Sequence, residues 1–433
     1  MAQNEATAHG LNTPLVVIPH PLSGLTSDQV CEKAESAVPQ VIRALTAQLA
    51  NAQPQASLPS QESDSSCSDD VCRYEPLPVG RSITVEDSLD GVEEIQRRFY
   101  SARWTDGLPI AIPTEAKVQQ SLEYLGCAPD LVVGQIPPKR AEATVERIVV
   151  NALMAGCRQE YLPVVLAAVE AMLDPKFDLG GVQATTGPHA PLVVVNGPLA
   201  QELDVNGAYG AFGPGWQSNA TIGRAVRLVL MNLGGAAPGS VDKSTQGHPN
   251  KYSYCIAENQ AASPWTPLHV ERGFSPETST VTMIACHSPV NIHDTVSPRA
   301  RGLLTTVADT MATMGGSKLY RTPGEVFLLL SPEHANIIAR DGWTKEDLRQ
   351  FIFEHARRSV GELKRGGMSQ GETIWPRWLA DDDDAMVPLV ERPSDIGVLV
   401  VGGAGRHSSY LITWTASRSV TRAVHIPNHG KGS

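Results

Sequence analysis

The sequence predicts an α/β protein with mixed sheets flanked by helices, built as one large domain plus a small N-terminal strand–helix appendage. Two observations carry this prediction. Amphipathic runs with helical spacing alternate, along residues 82–425, with short continuous apolar runs that are typical of strands buried on both faces. The 433 residues also exceed the usual size of a single core, so an additional small unit is expected.

The appendage comprises residues 1–50. Residues 15–18 are a short apolar run, which indicates a strand, and a helix is expected from about Ser27 to Leu49. One strand and one helix cannot bury their own apolar surface, so we expect them to pack on the main domain or on a second copy, as a homo-oligomer. Residues 51–81 are rich in Gln, Ser, Asp and Pro and predict a flexible acidic linker.

In the main domain, residues 82–425, hydrophobic periodicity and capping residues predict where helices and strands begin and end. Thr344 and Asp347 have the spacing of a capping box, with Asp where Glu or Gln is usual. The predicted helices are 92–100, 115–125, 141–154, 161–173, 219–233, 299–314 and 344–360. The predicted strands are 192–195, 278–285, 326–330 and 396–401.

Charge and composition exclude several classes of partner. Lys and Arg number 35 against 46 Asp and Glu, a net charge of −11, and no basic patch with interleaved aromatic residues occurs. We therefore expect no nucleic acid and no membrane partner. No apolar run approaches the roughly 20 residues of a membrane span, and the N-terminus lacks a signal-peptide pattern, so we expect a cytoplasmic protein. The seven cysteines fit neither a zinc ribbon nor a disulfide framework.

The densest group of reactive side chains lies in residues 254–274, between a Gly/Pro-rich stretch and a predicted strand. The predicted catalytic residues in this segment are Cys255, Glu258, His269 and Glu271. An imidazole can lower the pKa of a thiol or relay its proton, and a carboxylate can orient the imidazole. The alternative for Cys255 is a small buried apolar residue.

Substrate binding is assigned to residues in the same segment and in two glycine-rich turns. A turn at residues 207–216 feeds a predicted helix, whose exposed amides can hold a carboxylate or phosphate. An irregular loop whose glycines serve close packing is the alternative there. The turn at 402–408 lacks a third glycine and has too few residues after it for a dinucleotide unit, and no Walker A motif occurs, so neither NAD nor ATP is expected. The predicted substrate-binding residues are Gly213, Gly215, Trp216, Arg224, Trp265, Arg272 and His407.

Several histidines lie in turns, which favours a divalent transition metal such as zinc or copper as an alternative reactive centre. The predicted ligands are His189, His293 and Asp294. Each of these histidines taken alone has a structural role as its alternative reading.

A family resemblance rests on residues 152–172, 213–216, 255–259, 263–265, 269–274 and 402–408. Through these segments most of the chain resembles the large domain found beside, or fused to, the protein family named for a Sec/Cys-Gly-Ser-Cys (UGSC) motif. Residues 14–22 resemble the tail end of the motif-bearing module itself. This resemblance implies redox or carbon–heteroatom bond chemistry. The Cys-Gly-Ser-Cys turn is absent from the sequence, so either the large domain's own groups act or a partner supplies the thiols.

These patterns predict an enzyme of the lyase or reductase type that acts on a small organic substrate and breaks or forms a carbon–heteroatom bond. In that hypothesis Cys255 or a bound metal is the reactive centre and Arg272 holds a substrate carboxylate. His269 is the acid/base, and Glu258 or Glu271 orients it. One alternative is a metal-dependent hydrolase or lyase with His ligands. The other alternative is a non-catalytic subunit that docks a dithiol redox protein.

Overall fold

The structure is a computed structural model that describes residue 16 and residues 27–46, 82–313, 324–366, 382–414 and 417–426. The chain divides into two compact units, Met1–Asp70 and Val71–Ser433. In the first unit the structure describes helix α1 (Ser27–Thr46), which agrees with the predicted helix. The predicted linker, and the predicted strand apart from Val16, lie outside the described residues.

The second unit alternates helices and strands along the chain. Its helices are α2 (Leu89–Ser101), α3 (Glu115–Leu125), α4 (Val145–Ala155), α5 (Leu162–Met172), α6 (Leu179–Ala184), α7 (Pro198–Glu202), α8 (Gln217–Asn232), α9 (Leu268–Glu271), α10 (Ala300–Met311), α11 (Pro332–Arg340), α12 (Lys345–His355) and α13 (Val360–Arg365). Its strands are β1 (Val132–Ile136), β2 (Ala141–Thr144), β3 (Ala190–Asn196), β4 (Cys255–Ala257), β5 (Thr280–Cys286), β6 (Val290–His293), β7 (Val326–Leu330), β8 (Arg357–Ser359), β9 (Met386–Pro388), β10 (Ile396–Val400), β11 (His407–Leu411) and β12 (Val420–Ala423).

Two four-stranded mixed sheets form the centre of this unit. The first has the strand order β12-β5-β3-β4, in which β3 is parallel to β4 and antiparallel to β5. The second has the order β10-β7-β11-β6, in which β10 and β7 are parallel. The strands β1 and β2, and the strands β8 and β9, form two small antiparallel pairs. The predicted α/β class with mixed sheets is confirmed.

Alternation of side chains along the strands shows how the layers pack. On β3, Leu192 and Val194 belong to an apolar cluster that also contains Leu329 of β7, so the two sheets pack face to face. Val193 and Val195 point the other way, into a cluster with helices α4, α5 and α8. The continuous apolar pattern therefore reflects a sheet on one face of β3 and helices on the other.

The second sheet repeats this arrangement. Leu328 and Leu330 of β7 pack in a cluster with helices α10, α11 and α12, on the face opposite Leu329. The unit is consequently a four-layer sandwich of helices, sheet, sheet and helices. Functional residues at the ends of the strands can therefore reach either the layer between the sheets or one of the helix layers.

Two predicted helices are corrected by the structure. The helix expected at 141–154 is the strand β2 followed by α4, because the Thr144 hydroxyl accepts the Arg147 N–H at 3.3 Å and starts the helix there. The helix expected at 344–360 ends at His355 and is followed by strand β8. At its start the capping box is confirmed, since Thr344 and Asp347 each accept the other's backbone N–H.

Among the described residues, the structure contains no helix that is both long enough and apolar enough to span a bilayer.

Candidate functional site

Strand β4 directs two of the predicted catalytic residues, Cys255 and Glu258, to opposite faces of its sheet. Cys255 faces the helices, in the same apolar cluster as Cys157, and is only 5% exposed. Burial raises the pKa of the Cys255 thiol, and the nearby Cys157 thiol raises it further. A thiolate is the nucleophilic form of cysteine, so this environment disfavours a reactive Cys255 and favours its alternative, a buried apolar residue.

Glu258, directly after β4, has its carboxylate on the side of Asn196 at the end of β3. Its Oε2 atom accepts the Asn196 side-chain N–H at 2.5 Å and the Leu268 backbone N–H at 2.9 Å. Its Oε1 atom is buried and has no hydrogen-bond partner among the described residues. Burial raises the pKa of Glu258, although the Lys345 ammonium and these two hydrogen bonds oppose the shift. Glu258 is therefore suited to hold a proton above the usual pH range of a glutamic acid.

Glu258 is part of a buried polar cluster at this end of the sheets. Asn196 lies opposite Thr280 in the β3–β5 register, and His269 follows the residue that binds Glu258. The Asn196 Oδ1, Thr280 Oγ1 and His269 Nδ1 atoms are buried and, like Glu258 Oε1, lack a partner in the described part of the chain. Burial lowers the pKa of His269, which favours its neutral form. Such a concentration of unsatisfied polar atoms is unusual in a packed core and typical of a functional site.

The predicted residues Glu271 and Arg272 lie in an adjoining cavity of about 700 Å³. We call this cavity the inter-sheet cleft, because strands β7 and β10 of one sheet and β12 of the other contribute to its wall. Leu268, whose backbone N–H binds Glu258, also lines it, so the buried polar cluster lies directly behind the cleft wall. Its lining residues include Leu268, Glu271, Arg272, Glu325, Phe327, Arg349, Ile396 and Thr421.

Arg272 is held in this cleft by hydroxyl groups. Its Nη1 atom donates to Thr421 Oγ1 at 2.8 Å, and its Nη2 atom donates to Ser419 Oγ at 2.6 Å. It makes no ion pair with a carboxylate of the described residues. Burial lowers the pKa of Arg272, and the carboxylates of Glu325 and Glu271 oppose this shift from a longer range. The cleft thus contains a desolvated guanidinium whose charge is not neutralised by a direct partner.

Glu271 is the carboxylate next to Arg272 in this cleft. It forms ion pairs with Lys345 Nζ and Arg349 Nη2, both at 3.2 Å. Lys345 is anchored in turn by a 2.7 Å hydrogen bond to the Thr266 carbonyl. The pairing fixes the position of Glu271 at the cavity surface. Of the four predicted catalytic residues, Glu271 is the one that lines the cleft.

Other predicted substrate-binding residues have structural partners. Arg224 binds Asp106 with two hydrogen bonds, of 2.8 Å and 2.9 Å, so its charge is paired within the protein. The Trp265 indole N–H donates to the Trp343 carbonyl at 3.2 Å. Gly215, in the turn that precedes Trp216 and α8, has φ +124°, a backbone conformation that favours glycine. Neither this turn nor Arg224 lines the inter-sheet cleft.

Gly213 and His407 also lie outside that cleft. The Gly213 N–H donates to the Gly210 carbonyl at 2.7 Å, which closes the turn and agrees with a packing role for its glycines. His407, on β11, is exposed, and its ring stacks on that of His293 with centroids 4.6 Å apart. A predicted binding residue and a predicted metal ligand are therefore cross-strand neighbours.

The three predicted metal ligands belong to different parts of the sandwich. His189 precedes β3 in the first sheet, and its ring lies 4.1 Å from the ring of His287. Asp294 follows β6 in the second sheet and accepts hydrogen bonds from Val296, Ser297 and Thr306. Although burial opposes the shift, these hydrogen bonds lower the pKa of Asp294 to about 2. Within the described ranges no three His, Cys, Asp or Glu side chains are grouped to hold a metal ion, so the structure does not bring His189 together with His293 and Asp294.

A second cavity, of about 900 Å³, lies away from the predicted cluster. Arg227, Asp242, His248 and Lys251 line it, and we call it the helix-side cleft because α8 forms one of its walls. The sequence prediction assigned none of these four residues to the site. The available signal is the Gly/Pro-rich segment from residue 234 to 247, which contains Asp242 and directly precedes His248.

No protein-family model, no curated protein and no solved structure matches the chain. The resemblance to the UGSC-type family stays a prediction, and the functional assignment depends on the geometry of the two clefts.

Proposed function

We propose that the protein is an enzyme that binds a small organic anion in the inter-sheet cleft and breaks or forms a carbon–heteroatom bond in it. The observation that carries the proposal is that Arg272 is buried and bonded to hydroxyl groups, without an ion pair to a carboxylate of the described residues. A guanidinium has five N–H donors, and hydrogen bonds to Ser419 and Thr421 use two of them. A buried charge is costly unless an opposite charge compensates it. A substrate carboxylate is the partner whose planar geometry matches the remaining donors.

Glu271 is placed to exchange a proton with a substrate that Arg272 holds. The two residues are adjacent in the chain and line the same cavity. Lys345 and Arg349 fix the Glu271 carboxylate, and a fixed position is what general acid–base catalysis requires. Glu258 and His269 lie behind the wall and act as positioning residues in this proposal. Cys255 takes no part, because its side chain faces the helix layer.

A second candidate function, a ligand-binding subunit without catalysis, is favoured by one observation. Glu258 and His269, two predicted catalytic residues whose pKa values are shifted by burial, do not line the cleft. Such a subunit would bind the same anion through Arg272 and would depend on a dithiol partner for chemistry. The two candidates differ in whether the bound anion is turned over.

Calorimetric titration of the full chain with a panel of small organic acids tests the binding step. Charged hydrogen bonds contribute about 1.5–3 kcal/mol, so Arg272→Met is expected to weaken the binding of the best ligand by about 10- to 100-fold. Arg422→Met is the matched control, because Arg422 lines the same cleft but is 46% exposed and already paired with Asp174 at 2.8 Å. Equal affinities in both variants would contradict the proposal.

Turnover separates the two candidates. The enzyme proposal expects the wild-type protein to convert the ligand and Glu271→Gln to bind it with little turnover, since an acid–base group contributes about 10²- to 10⁴-fold to the rate. Product formation is followed by NMR of the ligand. A ligand that binds through Arg272 and stays unchanged in the wild-type protein supports the ligand-binding subunit instead.

A further inference from the structure

Three segments form the walls of the helix-side cleft. They are residues 100–107 at the end of α2, helix α8, and the loop at 237–252. The cavity of about 900 Å³ falls in the range of metabolite sites, roughly 300–1,000 Å³. Its lining combines charged side chains with an apolar wall that includes Met231, Ala237, Pro238 and Pro249.

Asp242 is the centre of the charged part. Its Oδ2 atom accepts hydrogen bonds from Lys251 Nζ at 2.7 Å and from Arg227 Nη2 at 3.2 Å, and its Oδ1 atom accepts the Ser244 N–H at 3.0 Å. The side chains of Arg227 and Lys251 are only 11% and 13% exposed. Two largely buried cations therefore share one carboxylate, and the group carries a surplus positive charge.

The neighbouring charges do not remove this surplus. Asp106, which also lines the cleft, is engaged by Arg224 through two hydrogen bonds, and its Oδ1 atom accepts the Leu108 N–H as well. Among the described residues, Arg224, Arg227 and Lys251 thus share the carboxylates of Asp106 and Asp242, and Arg103 is a further cation of the cleft wall. This local excess is opposite in sign to the net charge of −11 of the whole chain.

We infer that the helix-side cleft is a second ligand site, which takes a small organic carboxylate with an apolar body. A carboxylate compensates the surplus charge of Arg227 and Lys251. The apolar wall accounts for the organic body, since apolar surface in a pocket binds apolar groups and offers nothing to an inorganic ion. Tyr100 and Tyr252, both largely exposed, lie at the rim and suit an aromatic or aliphatic ligand.

Titration of the full chain with benzoate, butyrate, benzyl alcohol and inorganic phosphate tests this inference. Benzoate and butyrate are expected to bind, whereas benzyl alcohol, which has the ring without the charge, is expected to bind at least about tenfold more weakly. Phosphate is the probe for a site that recognises charge alone. Phosphate binding as tight as benzoate binding would overturn the assignment to an organic carboxylate.

Variants of Lys251 locate the site. Lys251→Met removes the surplus charge but leaves the Arg227–Asp242 pair, and it is expected to weaken benzoate binding by about tenfold or more. Lys251→Arg keeps the charge and is expected to keep most of the affinity. The matched control is Lys243→Met, because Lys243 is on the same loop but is exposed and, within the described part of the chain, donates to the Gly239 carbonyl. Unchanged benzoate binding in a folded Lys251→Met protein would refute the inference.

The second site must also be independent of the inter-sheet cleft. Arg272→Met is expected to leave benzoate affinity within about twofold of the wild-type value, because Arg272 does not line the helix-side cleft. Loss of benzoate binding in Arg272→Met, with binding retained in Lys251→Met, would show that the inter-sheet cleft alone binds carboxylates. That result would overturn the second site and leave the proposed function standing.

Discussion

The two clefts of the sandwich both contain buried cationic side chains, but the groups that bind these cations differ. In the inter-sheet cleft, Arg272 is held by the hydroxyls of Ser419 and Thr421, with no carboxylate in direct contact among the described residues. In the helix-side cleft, Arg227 and Lys251 converge on Asp242. Hydroxyl groups position Arg272, and the carboxylates of Glu325 and Glu271 act on its charge from a longer range, whereas Asp242 neutralises part of the charge of Arg227 and Lys251 by direct contact. Removal of Asp242 should therefore destabilise the fold.

The largest expected effect tests that dependence on Asp242. Asp242→Ala leaves two largely buried cations without their common partner, and we expect the free energy of unfolding to fall by about 3–5 kcal/mol. Urea denaturation measures the change. Glu346→Ala is the control from the inter-sheet cleft, because Glu346 is 76% exposed and its ion pair with Arg349 should contribute less than about 1 kcal/mol. Similar losses in the two variants would show that Asp242 contributes no more to stability than an exposed ion pair does.

A smaller effect is expected at Cys255, which faces the helix layer and neither cleft. Cys255→Ser places a hydroxyl in an apolar core, so we expect a loss of about 1–3 kcal/mol in the free energy of unfolding and unchanged ligand binding in both clefts. In the native protein a thiol reagent should modify the exposed Cys31 much faster than Cys255. Rapid native labelling of Cys255, located by mass spectrometry, would restore the thiol-centred hypothesis.

The smallest expected effect concerns Glu258, behind the inter-sheet cleft. Its folded-state pKa is raised above the ordinary value of 4.5, so its contribution to stability is complete below pH 4.5 and is lost as the pH rises through the folded-state value. Glu258→Gln removes that titration, and its oxygen can still accept the N–H groups of Asn196 and Leu268. We expect melting temperatures of wild type and variant to diverge above pH 4.5, in favour of the variant. Parallel curves from pH 4 to pH 8 would argue against a raised pKa.

The fold class was predictable because continuous apolar strands such as β7 indicate burial on both faces. The same pattern does not reveal whether a helix or a second sheet covers a face, so the four-layer arrangement was not predictable. Helix boundaries depended on local chemistry, and the Thr144 cap inside a periodic apolar run was missed for that reason.

The candidate site was predictable only in part. Glu271 and Arg272 do line a cavity, and Glu258 and His269 adjoin it, because one short segment connects β4 to α9. Cys255 lies outside this site, because side chains alternate along a strand and Cys255 therefore faces away from Glu258. Proximity in sequence does not reveal this orientation. The helix-side cleft was missed because Arg227 and Lys251 come from separate segments, 24 positions apart in the chain, and meet only through Asp242.

The three-residue strand β4 lies at the edge of its sheet, where strand register is easily lost. A slip of one residue would exchange its two faces and could carry the Glu258 carboxylate to the position of Ala257, in the apolar helix layer. The hydrogen bond from the Asn196 side chain, at the end of the neighbouring strand, would then be lost. Glu258 therefore also favours the native register of β4 over misaligned pairing during folding.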